Sequence, residues 1–286
     1  FRNLGIMRAM DDGISLDTDN SNIWIHHIDV FYGKAGGGDH AKGDGAIDVK
    51  SNSKFVTIDH CHFWDTGKSS MCGMKSESGP NYITYHHNWF DHSDSRHARV
   101  RTMSVHLWNN FYDGCAKYGI GATTGSSVFS ENNYFRATKD PILISLQGTD
   151  AKGSGTFSGE SGGMVKEYGS IFAEKGSGSN YSPITYAADN KSFDFYQAAS
   201  RDEQVPSSVV SLNGGNTYNN FDTNPSLMYS YTPDATAAVP SRVTGYYGAG
   251  RLNHGSLQFK FDNAVEDTND APIPALETLI DAYAGE

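Results

Sequence analysis

The segment GDGAIDVK (43–50) sets Asp44 and Asp48 four residues apart, and DSRHARVR (94–101) sets Arg96, Arg99 and Arg101 within six. Carboxylates gathered at one point hold a cation, and guanidinium groups in a cluster pair with carboxylates. In a fully extended chain Asp44 and Asp48 would share a face but stand about 13 Å apart, too far for one ion. Gly43 and Gly45 flank Asp44 and permit a bend that brings both carboxylates together before Ile47 and Val49 enter a core. Two carboxylates at about 5 Å repel by roughly 3 kcal/mol at an effective dielectric near 20, so the pair either protonates or recruits a cation. Calcium, with about six to eight oxygen ligands and irregular geometry, is the natural choice, and Asp12 of MDDGISLD is the third candidate ligand.

DTGKSSMCG (65–73) adds Lys68 in a loop after a strand, and the three arginines follow in the next loop. The formal net charge is −11, so a local basic cluster beside an acidic one stands out. It reads as a receptor for carboxylates, and a polyuronate chain is the matching guest. The histidines at 60, 62, 86, 87, 92, 97 and 106 lack the spacing of zinc motifs and are assigned to the scaffold, with His97 placed at the cleft.

The elements that must position these residues are visible as a repeat. NIWIHHIDVF (22–31), FVTIDHCHFW (55–64), YITYHHNWFD (82–91), SVHLWNNFYD (104–113) and SVFSENNYFR (127–136) share one pattern. Each alternates apolar and polar residues, then closes on a polar pair followed by aromatics, which is strand periodicity. Aligning Ile28, Cys61, Asn88, Asn110 and Asn133 gives a minimal turn in the low twenties with longer loops in some turns. This predicts an all-β solenoid, a right-handed parallel β-helix whose long loops form a cleft, with Asn88, Asn110 and Asn133 stacked as an amide ladder. A β-sandwich, the rival reading, predicts no such recurring unit.

Thirty-one glycines and few helical patterns agree with short strands and many turns. No run of eighteen apolar residues is present, and no basic stripe is available for nucleic acid, so neither membrane nor nucleic acid is an expected partner. Three cysteines, Cys61, Cys72 and Cys115, are too few for a disulfide framework. The chain opens at FRNLGIMRAM without an initiator Met, so a leader and some early structure are expected to precede it. Beyond residue 137 the repeat fades into a Gly/Ser-rich loop (149–163), with further strands expected at 165–174 and 209–218. Residues 1–286 read as a single domain in which 254–286 is a tail or cap, its last turn amphipathic and covering the open end of the solenoid.

From Asp12 to Arg136 the sequence resembles the pectate lyases of the large pectate and pectin lyase family: NIWIHH, DGAIDVKSNSKFVTIDHCHF, GKSSMCG, ITYHHNWFD, RHARVR and VHLWNNFY recur there in this order. The resemblance implies a parallel β-helix cleaving de-esterified homogalacturonan by β-elimination. It implies Asp12, Asp44 and Asp48 as calcium ligands, Lys68 as binder of the uronate carboxylate, Arg96 as the base at C5 and Arg101 as a substrate clamp, with Arg99 and His97 lining the site. Asp11 is the alternative to Asp12. A pectin lyase acting on methyl-esterified substrate, or a non-catalytic polyuronate-binding protein, is the alternative function. A monomer acting outside the cytoplasm, secreted or periplasmic, follows from a polymeric substrate. Two departures stand out: the family's tryptophan–apolar–Asp–His unit reads WIHH, with His26 in place of the acid, and Ala98 replaces a proline in the arginine motif. Because strict alternation would place Arg96 and Arg101 on opposite faces, a bend between them is expected.

Overall fold

A computed structural model of the chain describes residues 1–36, 40–153, 157–174, 182–251, 255, 257–267 and 269–284. Four of the five repeat segments become a strand, a corner and a second short strand. The first halves, such as Lys54–Asp59, Ile83–His86, Ser104–Trp108 and Ser127–Glu131, pair in parallel as one lane. The second halves, His62–Trp64, Trp89–Asp91, Phe111–Asp113 and Tyr134–Arg136, pair as another. Ser21–Phe31 runs through its corner as one long strand and joins both lanes. Stacked coils of this kind form the expected right-handed parallel β-helix.

The polar pair is the corner. His27, His60, His87, Asn109 and Asn132 take φ between 47° and 53°, the left-handed region in which Asn and His are enriched. The residue that follows turns inward. Asn88, Asn110 and Asn133 are fully buried, and each Oδ1 accepts from the coil before it: Asn110 from the backbone and amide nitrogens of Asn88, at 3.1 and 3.0 Å, and Asn133 likewise from Asn110. The ladder starts at Cys61, whose N–H donates to Asn88, and ends at the Ser170 hydroxyl, which accepts from the Asn133 N–H. Inside, Phe63, Phe90, Tyr112, Phe135 and Phe172 form one continuous ring stack, with centroids 4.3–5.1 Å apart.

A third lane lies in what the repeat left as long loops. Ile14–Leu16, Ile47–Val49, Lys68–Cys72, Ser95–Arg101, Ile120–Thr123 and Ile142–Ile144 form a six-stranded parallel sheet. Lys68 and the three arginines are therefore on strands rather than in loops. The spacing missed this lane because its strands are short and their outward positions are charged.

The second half corrects several expectations. Met164–Tyr168 and Ile171–Ala173 continue two lanes as expected, and Tyr196–Gln197 adds a last strand. Residues 209–218 add no coil: Val210 and Thr217 meet only as an isolated antiparallel bridge. The Gly/Ser-rich run opens with a helical turn, Gly148–Lys152, and its residues 154–156 lie outside the described ones. Asp267 pairs with Arg136 and His92, and the helix Pro274–Ala282 sets Leu276 and Ile280 against Phe31 and Tyr32, so the tail runs along the flank toward the first coil. Cys61, Cys72 and Cys115 are buried free thiols.

Asn110→Ala removes the acceptor of two Asn88 donors and the donor to Tyr85 O, all buried. A loss of roughly 2–4 kcal/mol of unfolding free energy is expected from those orphaned groups and is read by urea titration.

Candidate active site

The third lane presents one outward face on which acidic and basic side chains meet. At its acidic end Asp12 is the hub. Its Oδ1 accepts from Gly45 N at 3.0 Å and its Oδ2 from the Lys50 ammonium, which stands 3.6 Å from Asp48. Carboxylate oxygens of Asp11, Asp12 and Asp44 lie within 4.8 Å of one another. Gly45 makes this approach possible: a Cβ there would lie 2.6 Å from Asp48 Oδ1 and 2.7 Å from Asp12 Oδ1. The bend expected at 43–48 is present, with Gly45 opening the space and Gly43 taking φ +84°.

Burial, with the Asp12 charge beside it, pushes the Asp48 carboxyl up to about 7, even though the Met71 N–H donates to it at 2.9 Å. An oxygen-only donor set, compressed so that one member resists ionisation, fits a hard divalent cation. Asp12 and Asp44, with exposed Asp11, would hold it within that spacing, while Asp48, the other expected ligand, lies outside that group and meets Asp12 across Lys50. Lys50 is a residue the sequence reading left without a role. Its position two beyond Asp48, on the same face of a strand, was the available signal.

Lys68 connects the two ends of the site. Its side chain is largely buried and its ammonium lies 3.2 Å from Asp44 Oδ1, while its backbone pairs in register with Ser95, next to Arg96. Partial burial would raise the Asp44 carboxyl, but Lys68 outweighs that and holds it below the ordinary range.

The arginine strand contains the bend that the sequence required. Ser95 and His97 pair with Lys68 and Ser70, but Arg99 pairs with Met71, so Ala98 is an extra residue in a bulge. Arg96 has φ +63° and the His97–Ala98 peptide is cis. His97, Ala98 and Val100 all point inward and are fully buried. The bulge therefore resets the alternation and leaves Arg96, Arg99 and Arg101 on the outer face.

Two of the assigned substrate contacts change. His97 does not reach the cleft: it is in the core, its Nδ1 2.8 Å from Tyr118 O and its ring edge-on to Phe90, and burial pushes it down to about 3. Arg101 is already occupied by a carboxylate of this chain. Glu160 accepts from Arg101 Nε at 2.9 Å, Lys75 Nζ at 2.9 Å, and the hydroxyls of Thr123 and Thr124 at 2.7 and 3.1 Å. Arg99 donates to Ser158 in the same segment, at 3.0 Å. Burial lowers Arg99, and the nearby Arg101 and Arg96 charges act in the same direction. Beside Lys68 and Arg96 a cleft of about 540 Å³ continues past Arg99, Lys117 and Lys139, with Phe157 in its wall. Three of the other histidines are tied into the scaffold: His62 and His92 bond to Asp91 and His106 bonds to Glu131.

Fold and site together define a parallel β-helix whose outer face sets a cluster of carboxylates beside a row of basic side chains. The pectate lyase family profile matches residues 5–252, and the chain belongs to that family. It is 31% identical over 147 residues, half of this chain and 42% of the relative, to a pectate trisaccharide-lyase of Bacillus licheniformis. The fold is similar to that of a doubly substituted pectate lyase from Xanthomonas campestris, with TM-score 0.60 and 24% identity, covering 87% of this chain and 69% of the other. It is also similar to pectate lyase C from Erwinia chrysanthemi, solved at pH 9.5 with 30 mM Ca2+, with TM-score 0.55 and 24% identity over 84% and 60% of the two chains. The chain spans about half the length of the curated relatives it matches.

Burial alone would raise the Glu160 carboxyl, but Arg101, Lys75 and Thr123 outweigh it and hold it far below its ordinary value of 4.5. Its pairing therefore adds stability that is fully present above that value and is lost as pH falls toward the depressed folded value. Glu160→Gln is expected to destabilise by roughly 1–3 kcal/mol near neutral pH. In urea titrations across the acid range, the gap from wild type should close as pH falls.

Proposed function

We propose that the protein is a calcium-dependent pectate lyase that cleaves de-esterified homogalacturonan by β-elimination and releases 4,5-unsaturated oligogalacturonides. The observation that carries this reading is the position of Lys68. It links the Asp12, Asp44 and Asp48 cluster to the Arg96 strand, so one uronate ring can touch cation, ammonium and guanidinium together. An extracytoplasmic site of action and a monomeric state accompany the reading, as the nature of a polymeric substrate suggests.

The chemistry needs a C5 proton removed next to a carboxylate that is itself negative. Calcium, when bound by Asp12, Asp44 and Asp48, supplies positive charge against the uronate carboxylate. The Lys68 ammonium pairs with that carboxylate and stabilises the charge that grows on it as the proton leaves. Arg96, in its unprotonated form, takes the C5 proton. The electron pair forms the C4–C5 double bond, the C4–oxygen bond breaks, and the departing sugar oxygen is protonated from water. Arg96 differs from Arg101 in facing the open cleft without a carboxylate salt bridge among the described residues.

The test is the near-ultraviolet absorbance of the new double bond on polygalacturonate. Absorbance should rise with calcium, stop with excess chelator, and fall by at least about 10³-fold in Arg96→Ala. Reducing ends without absorbance would mean hydrolysis and would remove the roles of Lys68 and Arg96. Gly45→Ala, which pushes a methyl group between Asp12 and Asp48, should weaken calcium binding at least about tenfold in calorimetry while the circular dichroism is unchanged.

A further inference from the structure

We propose that Asp59, His60 and His86 form a second metal site, for a divalent transition ion of the zinc class, on a face of the solenoid separate from the lyase cleft. Each residue offers one ligand atom, and the three atoms lie within 4.8 Å of one another. Asp59 ends one strand of the first lane, His60 is the corner that follows, and His86 pairs in register with Asp59 from the next coil. The cleft residues belong to the third lane.

The surroundings favour nitrogen ligation. His27, His60 and His87 stack in line, with centroids 5.0 and 4.9 Å apart, and His26 pairs in register with Asp59 from the preceding coil. Five imidazoles thus gather at this corner over three successive coils, and the Asp59 carboxylate beside His60 is buried. Trp24 Nε1 donates to Asp59 Oδ1, while Oδ2 lies 2.6 Å from His60 Nδ1. In this chain the acid for Trp24 comes from the next coil, and the position after Ile25 is given to an imidazole.

The hydrogen bonds also fix a tautomer. Asp234 Oδ2 lies 3.2 Å from His87 Nε2, so that nitrogen carries the proton and His87 Nδ1 accepts. His87 Nδ1 meets His86 Nδ1 at 3.0 Å, so His86 is the donor there and its Nε2 is left with a lone pair. Two imidazoles and one carboxylate suit zinc, nickel or copper and not calcium, so this site and the oxygen-only cluster select different ions. Asp234 and Trp24 act as the outer partners that orient the donors. Drawing the donors onto an ion at about 2.0–2.1 Å takes side-chain rotation, and the His60 side chain is 25% exposed, so the ion has access.

The test is calorimetric titration of the full chain with zinc chloride in excess calcium, which keeps the acidic cluster filled, together with visible absorption of the cobalt(II) form. One equivalent of zinc is expected, with at least about tenfold weaker binding in His60→Ala and Asp59→Asn and a loss of the same order in Asp234→Asn. His60 is partly exposed, and circular dichroism checks that its variant is folded. No saturable uptake by the wild type would overturn the site. So would uptake that is unchanged in folded His60→Ala, or that is abolished only by Asp12→Asn, which would put the ion in the acidic cluster. The proposal does not depend on the lyase reading, since neither readout uses pectate.

Discussion

Parallel backbone pairing between successive coils is the constraint on which everything else in this molecule rests. Each coil must sit roughly 4.8 Å from the next, with its N–H and C=O groups bonded across the gap. Any position repeated once per coil therefore becomes a continuous row. Phe63, Phe90, Tyr112 and Phe135 become one ring stack and Asn88, Asn110 and Asn133 one amide ladder for the same reason. The left-handed corner residues let the chain turn without breaking the register, and the inward amides satisfy the backbone where it bends.

The same stacking concentrates charge at the third lane. Side chains from four consecutive coils point outward over a short distance, so Asp12, Asp48, Lys68 and Arg96 become neighbours although they are far apart in sequence. Unlike charges are then forced to share a low-dielectric wall. Asp48 resists ionisation, Lys50 is drawn between two carboxylates, and Lys68 is held against Asp44. A surface tuned in this way carries large local fields of both signs, even though the whole chain carries a net charge of −11.

The occupation of Arg101 by Glu160 changes the picture of the basic face. Arg96 looks into the cleft, whereas Arg99 and Arg101 anchor the segment that forms part of the cleft wall. A guanidinium bonded to a carboxylate of its own chain positions structure first. The Ala98 bulge serves both purposes: it keeps His97 in the core and turns all three arginines outward.

Much of this was legible in the residues. The recurring polar pair and aromatics predicted the coil, the corner and the amide ladder, because a row in space is a period in sequence. The types and order of Asp12, Asp44, Asp48, Lys68 and Arg96 predicted an acidic cluster beside a basic one, and the clash between alternation and function at Arg96 and Arg101 predicted a bend. The sequence did not reveal the third lane as strands, the burial of His97, the role of Lys50, or Glu160 on Arg101, 59 residues away. Those were decided by tertiary structure, since the stacking of distant coils sets which side chains meet, and the local pattern holds no record of separations it does not itself span.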